Sequence, residues 1–489
     1  MTVGYSRSGS GRPLYDPATG EQFDVLPDSS AEECARTVER ARNAFRDWSE
    51  TSPQVRAEYL RWLAERMRDA LQEFVELERR DAGKPVTRIG PEVEFAARSL
   101  DWFAGEALRP KGEMYPTGPG MRIYSDRLPL GVCAVIAPSN YPLLMATWKL
   151  AAALAYGNTV VVKPSPDTPC SVRLLVELAA QILPPHALSA VYGGADVGRI
   201  LCELPEIASV SFTGSTSAGR DVAGRCGQHG KRVSLELGGK NPLIVFPDAD
   251  LDAAVATTVE AFTGNSGQMC VAASRLIVHE GIRDDFVRRL LDSVGERSLG
   301  PTDDPSTDLG PLVTRQGLEF VRSVIASAIE HGATALFPPG CNRIEPRLPE
   351  THAEGNYITP VVLDQVDTRH SAWRVELAAP VLSVKTFRSE EEALNLAHDT
   401  DYGLSASVWT SGTDRAERFA RNLRSGMVWI NTWGETDEAI SVGGIDASGY
   451  GRELGIHAVE HYTHNRSVWV SYRTGADRIS STHMRGASK

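Results

Sequence analysis

The sequence predicts an α/β protein with two domains, each built on a doubly wound parallel sheet that carries helices on both faces. Between residues 131 and 213, short β-branched or apolar runs alternate with helical patterns at a spacing typical of βαβ units. The alternation begins again at Asn241 and continues to Trp409, which predicts a second domain of the same class. The length of 489 residues is ample for this, since a domain takes about 150 residues.

The elements are predicted in the following order. A turn at 16–21 precedes helices with apolar residues at helical spacing, at 32–47, 55–69, 71–81 and 91–107. The first alternation has strands at 131–137, 159–162, 189–192 and 209–213, and helices at 143–155 and 171–181. The second alternation has strands at 243–246, 276–279, 381–387 and 408–409, and helices from 251 and at 284–293, 316–331 and 390–398. Two further extended runs, at 121–130 and 467–472, lie outside both alternations.

The composition is that of an ordinary globular protein and excludes several classes of function. Hydrophobic residues make up 42% and charged residues 23% of the chain, so it is not intrinsically disordered. The net charge of −12 gives no electrostatic basis for binding nucleic acid or an anionic membrane. The most apolar stretch, at 142–156, contains Lys149 and is too short to span a bilayer.

The seven cysteines indicate free thiols. Their number is odd, they are scattered, and no pair forms a Cys-x-x-Cys motif, so neither a disulfide framework nor a zinc site is expected. Free thiols fit a reducing compartment, and the first residues lack the apolar segment of a signal peptide. We therefore expect a cytoplasmic protein. No cluster of His, Cys and Asp suggests a bound metal.

Cys270 is the candidate nucleophile. It ends the segment GNSGQMC, in which two glycines allow a tight turn that presents the next side chain. A lone cysteine is most often a small buried hydrophobic residue. On such a turn, however, a thiol that loses its proton can act as a nucleophile.

Two polar residues near predicted strand ends are candidates for the rest of a catalytic site. Glu236 interrupts an apolar strand just before a double glycine, and it is either a solvated edge residue or a general base at the carboxyl end of a strand. Asn140 lies between two prolines after the strand at 132–136. It is either an ordinary loop residue or a neutral hydrogen-bond donor to an oxyanion.

Two segments are candidates for binding a dinucleotide. The segment FTGSTSAG at 212–219 follows a predicted strand and opens a helix, so Gly214 lets a cofactor approach the backbone and the helix N-terminus favours phosphate. It has neither the Lys-Ser/Thr of a P-loop nor the Gly-x-Gly-x-x-Gly of a standard Rossmann turn, and alone it is a weak signal. In the other segment, Lys163 ends a buried strand, where its charge needs a partner such as ribose hydroxyls or a phosphate.

Taken together, these segments resemble the aldehyde dehydrogenase superfamily from about residue 16 to residue 470. The blocks that carry the resemblance stand in the family's order: SNYP at 139–142, GNTVVVKPS at 157–165, FTGS at 212–215, LELGGK at 235–240, GQMC at 267–270, LGPLV at 309–313, DYGLS at 401–405 and SGYGRELG at 448–455. Cys270 follows Glu236 by 34 residues (270 − 236). The resemblance implies an α/β fold of the aldehyde dehydrogenase type.

The resemblance also implies how the chain is divided. Residues 1–120 and 131–240 would form an NAD(P)-binding domain, and residues 241–440 a catalytic domain that carries the nucleophilic cysteine. The runs at 121–130 and 460–475 would form a β extension through which the chain assembles into a homodimer or homotetramer. The polar residues 476–489 would be a flexible tail.

The family's chemistry maps onto this chain residue by residue. Cys270 would attack an aldehyde, Asn140 would hold the oxyanion, and Glu236 would activate the water that hydrolyses the thioester. The residues expected to bind NAD or NADP are Ala137, Pro138, Lys163, Ser165, Gly214, Ser215 and Glu376. Acyl-CoA-forming relatives usually lack the glutamate, so its presence favours release of a free acid. All three catalytic residues are present, which disfavours a catalytically silent relative.

Three positions depart from the family's pattern. NAD-preferring members usually carry an acid three residues after the lysine, and here that residue is Pro166, so NADP is also an expected cofactor. The aromatic residue of the usual EIFGP block is Ala378, which removes a wall near the nicotinamide. The aromatic residue of the usual PFGG block is Val442, which removes a ring from the substrate tunnel.

The segment WINTWGE at 429–435 is similar to betaine aldehyde and aminoaldehyde dehydrogenases, whose tunnel aromatics receive a cationic head group. The expected substrate-binding residues are Tyr141, Trp148, Trp433 and Val442. Each of the three rings would stabilise an ammonium by about 0.5–2 kcal/mol. A betaine aldehyde or an aminoaldehyde is therefore the first substrate prediction, and a neutral aromatic or aliphatic aldehyde is the alternative. A semialdehyde is less favoured because the acidic loop at 435–438 would repel its carboxylate.

Overall fold

A computed structural model describes residues 11–109 and 112–472, so the tail predicted at 476–489 lies outside the described residues. The chain begins with a hairpin around the predicted turn, in which Gly20 N–H donates to the Asp16 carbonyl at 2.8 Å. The hairpin is followed by helices. The bounds are β1 (Arg12–Tyr15), β2 (Gln22–Leu26), α1 (Ala31–Glu50), α2 (Pro53–Asp69), α3 (Leu71–Ala82) and α4 (Val86–Ala107).

Local sequence determines where these helices begin. Ser30 accepts a hydrogen bond from the Glu33 backbone N–H, and the Glu33 carboxylate accepts one from Ser30 N–H, which forms a capping box at α1.

The predicted start of α4 at residue 91 is wrong, because the helix begins at Val86 and contains Pro91. A proline removes one backbone donor. The helix nevertheless continues through it, because Ile89 and Val93 on either side are fully buried.

The first sheet and its helices follow in alternation. The bounds are β3 (Met114–Tyr115), β4 (Met121–Pro129), β5 (Val132–Ile136), α5 (Pro142–Ala155), β6 (Thr159–Lys163), α6 (Cys170–Ala179), β7 (Leu188–Ala190), α7 (Ala195–Glu203), β8 (Ile207–Thr213), α8 (Thr216–Gln228) and β9 (Arg232–Glu236).

The second alternation and the end of the described chain complete the element order. The bounds are β10 (Asn241–Val245), α9 (Leu251–Thr263), β11 (Ala273–His279), α10 (Arg283–Gly295), α11 (Arg315–Glu330), β12 (Thr334–Leu336), β13 (Val361–Asp364), α12 (Ser371–Arg374), β14 (Val381–Phe387), α13 (Glu390–His398), β15 (Tyr402–Gly403), β16 (Ser405–Trp409), α14 (Thr413–Asn422), β17 (Met427–Ile430), β18 (Ile445–Asp446), β19 (Gly449–Tyr450), α15 (Val459–Tyr462) and β20 (Thr463–Ser471).

The two main sheets are parallel except for one short edge strand in each. The first has the order β19-β9-β8-β5-β6-β7, in which β19 is antiparallel to β9. The second has the order β12-β13-β14-β11-β10-β16-β17, in which β12 is antiparallel to β13. In β5, Cys133 and Val135 pack into one hydrophobic cluster, and Val132, Ala134 and Ile136 pack into another on the opposite face. The first sheet is therefore covered on both faces, as predicted for a doubly wound fold.

The register of the first sheet brings its strand ends to one edge. Ile136 at the end of β5 pairs with Lys163 at the end of β6, and Thr213 at the end of β8 pairs with Glu236 at the end of β9. In open α/β sheets, ligands bind outside the carboxyl ends of the strands. Lys163 and Glu236 therefore lie at the edge where a site is expected.

The two extended runs outside the alternations pair with each other. Strands β4 and β20 are antiparallel from Met121 opposite Ser471 to Pro129 opposite Thr463, and β3 pairs with the other side of β4. The second run begins at Thr463, four residues before its predicted start, and Trp469 in β20 is 66% exposed. Within residues 11–109 and 112–472, no helix is both long enough and apolar enough to cross a membrane.

Candidate active site

Cys270 lies on a loop whose backbone is held in an unusual conformation. After a 3₁₀ turn at Gly264–Gly267, Asn265, Ser266 and Gly267 have positive φ angles of 47°, 54° and 73°. A Cβ atom on Gly267 would lie 2.2 Å from the carbonyl carbon of Ala379, so this position requires glycine. Ser266 Oγ donates to the Gly310 carbonyl at 2.7 Å. The contacts with Ala379 and Gly310 therefore hold the backbone that leads to the Cys270 thiol.

The segment LELGGK passes directly against the cysteine. Asn241 Nδ2 donates to the Cys270 carbonyl at 2.7 Å and to the Ala272 carbonyl at 2.9 Å. A Cβ atom on Gly239 would lie 2.6 Å from the Cys270 carbonyl oxygen, so the double glycine permits this approach. Burial raises the pKa of the Cys270 thiol to about 12, and the carboxylates of Glu376 and Glu236 add to the rise. The thiol consequently keeps its proton at neutral pH unless a base removes it.

Asn140 is tied to the same loop. Its Nδ2 donates to the Gln268 carbonyl at 2.7 Å, and Asn265 Nδ2 donates to the Asn140 carbonyl at 3.2 Å. A side-chain amide nitrogen carries two donor hydrogens, so the contact with Gln268 uses one of them. The loop after β5 and the cysteine loop thus form one hydrogen-bonded unit.

Glu236 is the last residue of β9 and is 8% exposed. Its Oε1 has no hydrogen-bond partner among the described residues, and a Cβ atom on Gly443 would lie 2.8 Å from it. Burial raises the pKa of Glu236 well above its ordinary value, Glu453 raises it further, and Lys149 opposes the rise. The carboxyl group is therefore a base of increased strength.

A buried ion pair provides the charges beside Glu236. Lys149 Nζ lies 2.5 Å from Glu453 Oε1, and both side chains are almost fully buried. Ser211 Oγ donates to the same carboxylate oxygen at 3.3 Å. Neither Lys149 nor Glu453 was predicted as a site residue, because their relation to Glu236 exists only in the folded chain.

Lys163 and Ala137 lie together at the carboxyl edge of the first sheet. Ala137 N–H donates to the Lys163 carbonyl at 3.0 Å, and Pro138 follows in the same loop. Lys163 Nζ donates to the carbonyls of Pro164 and Gly193, each at 2.9 Å. Among the described residues, no carboxylate lies within hydrogen-bond distance of this ammonium, and burial lowers the pKa of Lys163 to about 8. Ser165 is also buried.

The segment FTGS forms the turn between β8 and α8. Gly214 N–H donates to the Glu236 carbonyl at 3.1 Å, and a Cβ atom on Gly214 would lie 2.6 Å from the Phe212 ring. Ser215 is the N-cap of α8 and accepts from Ala218 N–H at 3.3 Å. The turn thus presents a helix N-terminus beside the strand that carries Glu236.

Glu376 is the predicted cofactor residue that lies near the cysteine. Its Oε2 lies 1.9 Å from where a Cβ atom on Gly238 would be, so the carboxyl group rests against the LELGGK segment. Burial raises the pKa of Glu376 to about 7, while the Gly239 N–H and the Lys240 ammonium favour the ionised form. Lys240 is 1% exposed and was not predicted as a site residue.

These groups are of the type that a nicotinamide dinucleotide requires. Lys163 is a buried cation with only carbonyl partners, which ribose hydroxyls or a phosphate would complement. The N-terminus of α8 suits a pyrophosphate, and Glu376 offers a carboxylate to ribose hydroxyls. The residues present therefore fit such a cofactor. In the described part of the chain, no group of three or more His, Cys, Asp or Glu side chains is arranged to hold a metal ion.

The predicted substrate residues fall into two groups. Tyr141, Trp148 and Val442 pack in or against one hydrophobic cluster, whereas Trp433 packs against another. Trp433 Nε1 donates to the Val271 carbonyl at 3.1 Å, which places this ring beside the residue that follows Cys270. Trp148 is 7% exposed and makes an edge contact with Phe95 at a centroid distance of 5.5 Å.

Charged residues that were not predicted surround Tyr141. Lys84 Nζ lies 4.5 Å from the centre of the Tyr141 ring and also contacts Glu78 and Glu92. Burial raises the pKa of Tyr141, and the carboxylates of Glu92 and Glu260 raise it further. In the predicted acidic loop, Glu438 is paired with Arg98 at 2.7 Å.

Comparisons with known proteins identify the family of this chain. Residues 5–468 match the model of the aldehyde dehydrogenase family. An NAD-dependent aldehyde dehydrogenase from Sinorhizobium meliloti is 34% identical with a TM-score of 0.92, and the match covers 96% of this chain and 93% of that one. Betaine aldehyde dehydrogenase from Staphylococcus aureus, solved with NAD⁺, is 30% identical with a TM-score of 0.91, over 98% of this chain and 93% of that one. PnpE from Pseudomonas sp. WBC-3 is 35% identical with a TM-score of 0.91, over 95% and 94%. The predicted resemblance and α/β fold are confirmed, and the chain belongs to the aldehyde dehydrogenase family of oxidoreductases.

Proposed function

We propose that this protein oxidises an aldehyde to the free carboxylic acid with NAD or NADP, with Cys270 as the nucleophile. One observation carries the proposal: the loop of Cys270 is hydrogen-bonded to Asn140 and packed against the segment that begins with the buried base Glu236. A nucleophile, a base and an amide donor are the groups that acyl chemistry requires.

The first step is addition of the thiol to the aldehyde. Burial keeps the pKa of Cys270 near 12, so a base must take the proton as the S–C bond forms. Glu236 accepts it, because its own raised pKa makes it a stronger base than an exposed carboxylate. The carbonyl oxygen becomes an oxyanion, to which Asn140 Nδ2 and the Cys270 backbone N–H donate.

The second half of the reaction releases the acid. A bound nicotinamide cofactor would supply the hydride acceptor, and loss of a hydride from the carbon attached to sulfur would leave the acyl group on Cys270 as a thioester. Glu236 first releases the thiol proton to solvent, and then removes a proton from water as the water oxygen attacks the acyl carbon. The C–S bond breaks, the thiolate takes that second proton back from Glu236, and the carboxylic acid leaves. Water is the acceptor because Glu236 lies beside the thioester, so added CoA should not raise the rate.

The cofactor residues take roles that follow from their positions. Lys163 and Ser165 would hold the adenosine ribose, next to the loop that carries Ala137 and Pro138. Gly214 and Ser215 would face the pyrophosphate at the N-terminus of α8. Glu376, whose carboxyl group rests against Gly238, would accept hydrogen bonds from the nicotinamide ribose.

For the substrate, we propose a cationic aldehyde such as betaine aldehyde or an aminoaldehyde. The support is the position of Trp433 beside Val271, the residue that follows Cys270. An aromatic face attracts an ammonium group. A specific observation favours a neutral aromatic or aliphatic aldehyde as the second candidate: Lys84 already lies over the Tyr141 ring.

A panel of aldehydes separates these candidates. We expect kcat/KM for betaine aldehyde or 4-aminobutanal to exceed that for hexanal, benzaldehyde and succinate semialdehyde at least tenfold, which is about 1.4 kcal/mol of discrimination. Trp433→Leu should lower this ratio about tenfold, whereas Trp62→Leu, at a ring that is 48% exposed, should leave it unchanged. A neutral aldehyde that leads the panel would contradict the cationic assignment and favour the second candidate.

We propose in addition that the small sheet of β20, β4 and β3 joins copies of this chain into a homodimer or homotetramer. Its exposed apolar side chains support this, since Trp469, Tyr472 and Met114 are each more than 60% exposed. Light scattering of the wild type should give two or four times the chain mass, and Trp469→Glu should shift it toward the monomer. A monomeric wild type would overturn this proposal.

A further inference from the structure

Two cationic side chains converge on the first turn of α7. Gly194 is the N-cap of this helix, and a Cβ atom there would lie 2.9 Å from Arg12 Nη2. One turn later, a Cβ atom on Gly198 would lie 3.7 Å from Lys163 Cε. Positions four residues apart share one face of a helix. The two glycines therefore leave room for Arg12 and Lys163 to lie side by side.

The carboxylates that oppose this positive charge, Asp28 and Asp167, belong to exposed side chains. Lys163 is 4% exposed and donates only to backbone carbonyls. Arg12 pairs with Asp28 at 3.2 Å, but the two side chains are 41% and 46% exposed. An ion pair with such exposure is weak, so an anion of higher charge can replace the aspartate. The N-cap residue Gly194 also has no side chain to accept from the first N–H groups of α7.

The location of this pair relative to the nucleotide indicates which anion it suits. Lys163 is the residue to which the proposed function assigns the adenosine ribose, and Pro166, three residues further on, has no charge that would repel a phosphate on that ribose. A phosphate on the 2′-oxygen carries nearly two charges and accepts a bidentate hydrogen-bond pair from a guanidinium. Asp28 and Asp167 are the nearby carboxylates that oppose it, since both interact electrostatically with Lys163.

We propose that Arg12, together with Lys163, binds the 2′-phosphate of NADP and so gives this enzyme its use of NADP; this rests on the proposed function, which places the adenosine ribose at Lys163. Arg12 reaches the site from strand β1, at the start of the described chain. On binding NADP, Arg12 would exchange its contact with Asp28 for a contact with the phosphate. Asp28 would then act as the competing anion that sets how strongly NADP is preferred.

Calorimetry with a matched pair of ligands tests this without turnover. Adenosine 2′,5′-bisphosphate and 5′-AMP differ only in the 2′-phosphate, and their Kd values should be measured on the full chain at constant ionic strength. We expect the wild type to bind the bisphosphate at least tenfold more tightly. Arg12→Gln should reduce that ratio about tenfold with no change in the Kd of 5′-AMP, and Asp28→Asn should increase the ratio. Arg36→Gln, at an exposed arginine on α1 that pairs with Glu32, is the matched control.

The outcomes separate this inference from the proposed function. If 5′-AMP binds and Arg12→Gln leaves the ratio unchanged, Arg12 does not recognise the 2′-phosphate and the inference is overturned. If Asp28→Asn weakens binding of the bisphosphate, the competing role of Asp28 is overturned with it. If 5′-AMP itself fails to bind while NAD is still turned over, the adenosine ribose does not lie at Lys163, and both the inference and that part of the proposed function fail.

Discussion

Replacement of Cys270 by alanine is expected to abolish aldehyde oxidation, with kcat/KM lowered on the order of 10⁵- to 10⁶-fold, the usual cost of removing a covalent nucleophile. The physical reason is that no other thiol can take its place. Of the other thiols, Cys341 is half-buried and lies on the segment after β12, outside the loop at 264–270. The remaining five are fully buried: Cys34, Cys133, Cys170, Cys202 and Cys226. The measurement is the initial rate of NADH or NADPH formation at saturating aldehyde.

The matched control is Cys341→Ala, which also removes a half-buried thiol. It should keep the wild-type rate, and both variants should keep the wild-type Tm and Kd for NAD. Preserved cofactor binding in Cys270→Ala would show that the loss belongs to the chemical step and not to the fold. A Cys270→Ala protein with more than about one hundredth of the wild-type rate would mean that the reaction does not proceed through this sulfur.

Much of the secondary structure that positions this site could be predicted from the sequence, because it depends on local patterns. The alternation of apolar strands and helices identified both parallel sheets, and parallel strands bring their carboxyl ends to one edge. Glu236 and Lys163 each end a strand, so their positions at that edge follow from the order of elements. The start of α4 at Val86 was not predicted, because Pro91 interrupts the helical pattern without ending the helix. Strands as short as β12 and β19 carry too few residues for a recognisable alternation.

The electrostatic environment of the site could not be predicted in the same way. Lys149 and Glu453 are 304 residues apart in sequence, yet their ion pair adjusts the charge beside Glu236. Similarly, Lys84 on the loop after α3 lies over the Tyr141 ring, and Arg12 on β1 lies over Gly194. The position of a charged residue in the sequence does not indicate which residue it pairs with. Such contacts depend on how separate elements pack, and only the folded chain defines them.

Glu236→Gln is expected to separate the two halves of the reaction. Steady-state turnover should fall about 10²- to 10⁴-fold, the usual contribution of a general base. Both halves use the base, but the second loses more, because water is a much weaker acid than the Cys270 thiol with its pKa of about 12. Rapid mixing should therefore show a burst of about one equivalent of NADH per active site, followed by a slow phase. Glu435→Gln, at an exposed carboxylate, should behave as the wild type.

The pH dependence of the same variant provides the sharper test. Burial and Glu453 raise the pKa of Glu236, so this carboxyl group keeps its proton, and lacks its basic form, up to a higher pH than an exposed glutamate does. Wild-type kcat should therefore rise with pH, about tenfold per pH unit below that pKa, and level off above it. Glu236→Gln has no proton to lose at this position, so its slow phase should lack this rise. A variant that loses the burst and the slow phase equally, or that keeps the wild-type pH profile, would mean that Glu236 does not activate the hydrolytic water.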